Sequence, residues 1–199
     1  LLVRKYNRHG RLIWSIVDGA ADKNERGLGV ATDWRRNIIV TGERNGTLFV
    51  RKYSRCGYLR WERTIENASG RGIAVDYYGN IVVTGNIYDG GKIDSLLVKL
   101  SPCGTMQWGW RIDKGFSETA LSVSVGYRRR IYISGTYFSE TSSAAYVAAF
   151  TRSGRFVADE SFDTDDNEVG LAISAYWRKI TVVGGSEYFG ESGLFVQTY

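Results

Sequence analysis

The sequence predicts an all-β protein, a β-propeller built from about four four-stranded antiparallel blades. A strand-like segment at Leu1–Tyr6 recurs four more times, at 48–53, 96–100, 145–150 and 194–199. A turn glycine follows each of the first four copies, at intervals of 47, 47 and 50 residues: Gly10, Gly57, Gly104 and Gly154. The remaining apolar residues form short β-branched and aromatic runs without helical spacing. Four strands repeated at this period are typical of a propeller blade.

The length and composition fit one globular domain, because 199 residues with 43% hydrophobic and 24% charged residues can bury a sizeable core. We therefore expect residues 1–199 to form a single propeller domain. Its repeat units are approximately 1–47, 48–95, 96–144 and 145–193, with a fifth partial copy at 194–199.

The second copy shows the elements of one repeat in order. Its first strand is Leu48–Tyr53, and a strand containing Trp61 follows the glycine turn. The small residues of 72–76 predict the innermost strand of the next blade, where space near the axis is limited, and 80–85 returns from it through a tight hairpin. Trp14, Trp61 and Trp108 occupy one repeated position, which favours packing between blades over sugar stacking.

The predicted strands number seventeen: two outer strands, three complete blades and three strands of another. Four complete four-stranded blades need sixteen strands. The sequence therefore fits either a closed four-bladed ring with one surplus strand or a segment of a larger propeller. A surplus strand beside a vacant edge favours strand addition between subunits.

The repeat resembles the SBBP family of β-propeller repeats. The resemblance rests on Leu48–Tyr53, Gly57–Trp61 and above all the run from Gly72 to Gly85, and it extends over essentially the whole chain. It weakens in later copies, where Gly126 replaces the turn aspartate and Ala158 replaces the tryptophan. The resemblance implies a propeller from a large secreted or cell-surface protein of bacteria or archaea, without an assigned enzymatic activity.

Aromatic residues that the repeat does not require are the candidate ligand-binding residues. They fall at or near the loops that follow the Val-Thr-Gly strand and its equivalents, on one expected face of the propeller: Tyr88, Tyr137, Phe138, Tyr188 and Phe189. Trp110 is a further non-periodic aromatic. These residues raise the alternative of a carbohydrate-recognition propeller.

No catalytic residue, metal site or cofactor is predicted. His9, the single histidine, and the cysteines Cys56 and Cys103 stand in equivalent turns, and we expect both cysteines to be free. The acidic run 163–168 offers oxygen ligands for Ca²⁺, but it lacks the glycine of an EF-type loop and fits a solvated face better.

Charge varies along the chain, whose net charge is +5. Residues 1–71 carry 15 basic and 7 acidic groups, whereas residues 140–199 carry 4 and 9. This asymmetry favours contact between oppositely charged ends. Nucleic-acid binding is not predicted, because the arginines fall on many strands and turns without a single run, and no apolar run is long enough to span a membrane.

Together these features predict a non-enzymatic propeller that acts as an extracellular or cell-surface structural or protein-interaction module. Its expected partner is another protein or a second copy of the chain. The carbohydrate-binding alternative depends on the loop aromatics named above.

Overall fold

The computed structural model describes residues 1–18, 24–113, 115, 117–139, 142–162, 167–177, 179–188 and 191–198, with backbone only for 187, 188, 191–195, 197 and 198. Within these residues, seventeen strands form five antiparallel sheets. Each sheet packs on the next in chain order. The predicted fold class and the predicted division into two, twelve and three strands are confirmed.

The strands follow one another as antiparallel neighbours within each sheet. Sheet 1 contains β1 (Leu2–Tyr6) and β2 (Leu12–Val17). Sheet 2 contains β3 (Glu25–Thr32), β4 (Ile38–Arg44), β5 (Thr47–Tyr53) and β6 (Leu59–Ile65). Sheet 3 contains β7 (Ala68–Val75), β8 (Ile81–Asp89), β9 (Lys92–Leu100) and β10 (Met106–Ile112). Sheet 4 contains β11 (Ser117–Val125), β12 (Ile131–Phe138), β13 (Ser143–Phe150) and β14 (Phe156–Phe162). Sheet 5 contains β15 (Asn167–Tyr176), β16 (Lys179–Tyr188) and β17 (Glu191–Thr198).

The first strand of each of sheets 2 to 5 lies nearest the axis, because β3 contacts β7, β7 contacts β11 and β11 contacts β15. This agrees with the innermost position predicted for 72–76. Each of these strands contains a bulge opposite the second strand, as at Gly70/Gly72. A side chain on Gly85 would overlap the Ser69 carbonyl oxygen at this bulge. The glycine that ends the repeated Val-Thr-Gly motif is therefore a requirement of the bulge.

The repeated tryptophans pack between neighbouring sheets, as predicted. The Trp61 indole lies against Gly104 of the next sheet, at 3.0 Å from the position that a Cβ would occupy. Its Nε1 donates a hydrogen bond to the Pro102 carbonyl over 3.3 Å. Trp14 makes the equivalent contact with Gly57, and Trp108 with Gly154. Each tryptophan thus fastens one sheet to the turn of the following sheet.

Buried aliphatic residues fill the spaces between successive sheets. One cluster joins sheets 2 and 3 around Ile39, Leu48, Ile81 and Leu96. A second joins sheets 3 and 4 around Leu97, Ile131 and Tyr146. The described strands form an open segment in which neither β1 nor β2 is paired with sheet 5. Both the closed ring and the larger propeller therefore remain interpretations of the sequence, as do the repeat boundaries.

Candidate functional site: an arginine and aromatic face

Seven turns of identical design lie at one face of the propeller. In each turn, the backbone N–H of the first residue donates a hydrogen bond to the backbone carbonyl of the fifth residue. Asp33 donates in this way to Asn37 over 3.1 Å, and Asp76 donates to Asn80 over 2.9 Å. Alternate turns of an antiparallel sheet lie at the same end, and the tryptophan contacts align this end from sheet to sheet. We call this surface the turn face and define it by Trp177 of the equivalent turn in sheet 5 together with the seven turns 7–11, 33–37, 54–58, 76–80, 101–105, 126–130 and 151–155.

The turn face is strongly basic. Its seven turns, all of which the structure describes, contain ten arginines and no lysine. Nine of the ten arginines are exposed, and Arg129 is half-buried. The arginines are Arg8, Arg11, Arg35, Arg36, Arg55, Arg128, Arg129, Arg130, Arg152 and Arg155.

The acidic residues of these turns, Asp33 and Asp76, do not offset this charge at the surface, because both are buried and paired internally. Asp33 accepts hydrogen bonds from Asn37 and lies 2.9 Å from Lys52 Nζ. Burial opposes ionisation of Asp33, but the hydrogen bonds from Asn37 and Lys52 hold its pKa below the ordinary value. These carboxylates shape the turns and anchor the lysines, and no acidic side chain is exposed in the seven turns.

Each turn between the first and second strands of a sheet presents an aromatic ring to solvent. Trp34 is 69% exposed and Tyr77 is 86% exposed, while Trp177 of the corresponding turn in sheet 5 is 67% exposed. Tyr127 is the counterpart in sheet 4, half-buried, with its ring centroid 5.0 Å from that of Trp177. The rings therefore recur around the inner part of the turn face.

Arginines contact these rings within and between sheets. The guanidinium of Arg129 lies 4.7 Å from the ring of Tyr78 on the neighbouring sheet, and that of Arg35 lies 4.6 Å from the Trp34 ring. Such cation–π contacts hold an arginine near an aromatic surface without neutralising its charge. The result is a surface of rings and cations that extends over sheets 2 to 5.

The opposite face concentrates carboxylates and neutralises many of them internally. Arg51 is buried there among three carboxylates, with nitrogen–oxygen distances of 2.7 Å to Glu25, 3.2 Å to Asp18 and 2.5 Å to Glu62. Although burial opposes its charge, the hydrogen bonds to Glu62 and Glu25 hold the pKa of Arg51 above its ordinary value. The network closes the entry to β3.

Three carboxylates of sheets 3 and 4, those of Asp94, Asp113 and Glu118, approach one another on the same opposite face. Lys92 Nζ lies 2.5 Å from Asp113 and 3.5 Å from Asp94, and Arg111 binds Asp94 as well. The hydrogen bond from Lys92 lowers the pKa of Asp113. Protein cations therefore balance this cluster.

The structure places the aromatic residues predicted for ligand binding at strand ends on the opposite face. Tyr88 lies in β8, half-buried, with its hydroxyl 3.2 Å from Ser69 Oγ. Tyr137 and Phe138 end β12, where Tyr137 packs against the core and Phe138 is 43% exposed. Tyr188 lies in β16, and its side chain and all of Phe189 are outside the described residues, as are 163–166 of the acidic run. Their ligand-binding role stays a prediction.

The histidine and cysteines lie in exposed turns, and both cysteines are free as predicted. His9 Nε2 accepts a hydrogen bond from Arg8 over 3.0 Å. Hydrogen bonds from Ser101 and Thr105 lower the pKa of the Cys103 thiol to about 7. These residues contribute polar groups to the outer part of the turn face.

The sequence analysis missed the turn-face aromatics, although a signal was present. The residue after the first position of each inner turn is aromatic in all four copies: Trp34, Tyr77, Tyr127 and Trp177. We assigned the repeated strand tryptophans to packing and looked for ligand-binding residues only among non-periodic aromatics, so these four repeated turn positions were passed over. Only the structure separates repeated residues that face a neighbour from those that face solvent.

Comparison with solved structures gives the same architecture. A streptogramin B lyase structure is 13% identical, with a TM-score of 0.51, and matches 100% of this chain and 75% of that chain. The extracellular domains 1–2 of Drosophila Semaphorin 1b are 11% identical, with a TM-score of 0.62, and match 100% and 48%. A structure of Drosophila Plexin A in complex with Semaphorin 1b gives the same values. The chain thus spans about half the length of the latter two matched chains, and these identities show the fold alone.

Comparison with known protein families and with curated protein sequences gives no match. The likeness to SBBP repeats therefore stays a resemblance in sequence pattern. The propeller fold itself is established by the sheet order and by the solved structures that share it.

The expectation of a non-enzymatic protein is wrong. Streptogramin B lyase, an enzyme, has the same fold over the whole length of this chain. The expectation came from the lack of a recognisable catalytic pattern and from the family resemblance, and neither excludes catalysis on a propeller scaffold. Separately, no helix among the described residues is long and apolar enough to cross a membrane.

Proposed function

We propose that this propeller is a protein-interaction module that binds an acidic partner through the turn face. The observation that carries the proposal is the meeting of ten arginines and the aromatic rings of four sheets, three of them exposed, on a surface whose acidic residues are buried. A single-sign surface of this kind attracts and orients an oppositely charged partner. A second copy of the chain also fits as the partner, because residues 140–199 carry 9 acidic and 4 basic groups.

The residue types favour a protein partner. Tryptophan, tyrosine and arginine are the residues that dominate binding energy at protein interfaces, whereas lysine is depleted there. The turn face contains the first three and no lysine. Lys52 and Lys99 approach it but donate to the carbonyls of Pro102 and Arg152 over 3.1 and 3.0 Å, which ties them to the scaffold.

Nucleic-acid binding was not predicted from the sequence, because the arginines form no single run, but this reason does not hold for the folded chain. The arginines are scattered in sequence, but the fold brings the turns that carry them to one face. Phosphate binding and base stacking use the same residue types. Nucleic acid is therefore the rival ligand that an experiment must separate from an acidic protein.

The proposed setting is extracellular or at the cell surface. It is supported by the resemblance to SBBP repeats. Association between copies, through strand addition or through oppositely charged surfaces, belongs to the same proposal and is measurable by light scattering.

Binding of fluorescent poly-L-glutamate, followed by anisotropy, tests the proposal. We expect binding at about 20 mM salt that weakens steeply by about 300 mM, because exposed charges are screened within a few ångströms at high salt. The variant Arg35→Gln/Arg36→Gln/Arg128→Gln/Arg129→Gln is expected to bind about tenfold or more weakly, because its charge complementarity is reduced. The matched control is Arg26→Gln, an arginine side chain 63% exposed on the opposite face.

Two results would reject the proposal. The first is poly-L-glutamate binding that is absent at low salt or equal in the fourfold variant and the parent chain. The second is binding of a single-stranded poly-dT oligonucleotide of similar charge about tenfold or more tightly than poly-L-glutamate, which would assign the surface to nucleic acid.

A further inference from the structure

We propose that the groove between sheets 3 and 4 is a binding site for a neutral saccharide ring. The groove encloses a cavity of about 420 Å³ between the outer strand β10 and the strands β13 and β14. This volume lies within the range of sites for small molecules. The inference goes beyond the proposed function, because it concerns a different ligand and a groove that meets the turn face only at the turn 151–155.

The repeat supplies an internal reference for this cavity. The equivalent groove between sheets 2 and 3 measures about 280 Å³ and is lined by the counterparts of the same residues. Strand pairing sets the correspondence, since Trp61 pairs with Lys52, Trp108 with Lys99 and Ala158 with Ala149. Differences between the two grooves therefore show what is added to the common blade packing.

The two grooves differ in the residues that set the depth of the floor and the character of the mouth. Ala148 replaces Val98 on the floor, which removes two methyl groups from the space between the sheets. Trp110 replaces Arg63, and Phe156 replaces Met106. In the reference groove, Arg63 Nε donates to the Gly104 carbonyl over 2.9 Å and so fastens the mouth. The groove between sheets 3 and 4 has a ring in place of that bond.

The two added rings expose apolar faces at the mouth. Trp110 is 48% exposed and Phe156 is 53% exposed. Trp110 Nε1 lies 2.7 Å from the position of a Cβ on Gly154, so the indole rests against this turn. Phe156 is braced edge-on by the buried Phe150, with ring centroids 5.8 Å apart. Braced rings of this kind offer flat surfaces to the C–H face of a sugar ring at low entropic cost.

The polar groups at the groove suit hydroxyl ligands. Arg155 replaces Thr105, and Asp159 stands where the reference sheet has Gly109. A guanidinium and a carboxylate donate to and accept from neighbouring hydroxyls in fixed geometry. Arg111 and Asp113 complete a lining of two cations and two anions, and both are already paired within the protein, with Asp94 and Lys92. This balance favours a neutral polyhydroxylated ligand over an anion or a cation.

A glycan array of neutral saccharides, followed by titration calorimetry with the tightest binder, tests this site in the full chain. We expect at least one saccharide to bind the parent protein. Trp110→Ala and Phe156→Ala are each expected to weaken its binding about tenfold or more, as for aromatic anchors in other sites. Ala148→Leu, which refills the cavity, is expected to weaken binding to a similar extent.

Matched controls separate this site from its alternatives. Met106→Ala, at the position equivalent to Phe156 in the reference groove, is expected to leave the saccharide affinity unchanged. Phe138→Ala tests the aromatic site predicted from the sequence. Phe156→Ala is expected to retain poly-L-glutamate binding, so that failure of this inference and failure of the proposed function are distinguishable.

The inference is overturned if the parent chain binds no neutral saccharide. It is also overturned if affinity survives in both Phe156→Ala and Ala148→Leu, whose folding is confirmed by an unchanged thermal midpoint. Loss of affinity in Phe138→Ala with retention in Phe156→Ala would move the site to the opposite face and reject the groove.

Discussion

Replacing Arg51 by methionine is expected to lower the free energy of unfolding by about 3–5 kcal/mol, the cost of removing one partner from a buried ionic network. The Arg51 side chain is 3% exposed and contacts Glu25, Asp18 and Glu62. Glu25 is also buried, with a side chain 1% exposed. Without the guanidinium, the carboxylate of Glu25 keeps its burial and loses its closest cation. Urea denaturation at neutral pH measures the loss.

Two further variants make this prediction specific. Arg44→Met removes a cation from the same network, but its side chain is 28% exposed, so a loss of about 1 kcal/mol or less is expected. In Arg51→Met/Glu25→Gln the buried charge is removed together with its partner, and part of the stability should return. A loss below about 1 kcal/mol for Arg51→Met would show that the network does not stabilise the fold.

The second large effect is expected for Gly85→Ala. The added methyl group would overlap the Ser69 carbonyl oxygen of the innermost strand, where a backbone atom cannot move away as a side chain can. Overpacking of this kind costs about 3 kcal/mol, and more where backbone must shift. We expect the thermal midpoint to fall by about 6 °C or more, or the chain to fail to fold.

Gly109→Ala is the matched control for this bulge. Gly109 also lies within a strand, but an added Cβ would have its nearest contact with the Val98 side chain, at 3.3 Å, and would stay 4.0 Å from the Leu97 carbonyl oxygen. A change of less than about 1 kcal/mol is expected there. Equal losses in the two variants would contradict the assignment of the repeated glycine to the bulge.

The architecture was predictable because the repeat makes each local signal occur several times. A single Val-Val-Thr-Gly run is a weak strand signal, but its recurrence beside a turn aspartate and a strand tryptophan identifies a blade. The innermost position of 72–76 followed from residue size, and Gly72 shows why: a Cβ there would lie 3.0 Å from the backbone of Ser122 on the neighbouring sheet.

The candidate site was not predictable, because its residues are joined by the alternation of turns between two faces. Trp34 and Trp177 are separated by three sheets along the chain, yet both lie on the turn face. The charge pattern likewise does not show, from the order of residues along the chain, which charges share a face. Counted along the chain, charge divides into a basic beginning and an acidic end, whereas the structure gathers ten arginines from three sheets on the turn face.

The groove between sheets 3 and 4 was predictable in part. The sequence marked Trp110 as a non-periodic aromatic, but its function depends on the neighbour that it meets. Only the aligned sheets show that Ala148 deepens the space beside it and that Phe156 forms the second wall. A repeat predicts where each residue lies in the blade. It does not predict the function of a residue that departs from the repeated type.

Hydrogen exchange in the presence and absence of saturating poly-L-glutamate tests the central claim most directly. If the turn face binds the acidic partner, amides in turns 33–37, 76–80 and 126–130 should exchange more slowly when poly-L-glutamate is bound. The hairpin turns of the opposite face, at 45–46 and 90–91, should exchange at unchanged rates. Protection at 45–46 and 90–91 without protection in the turn face would contradict the account.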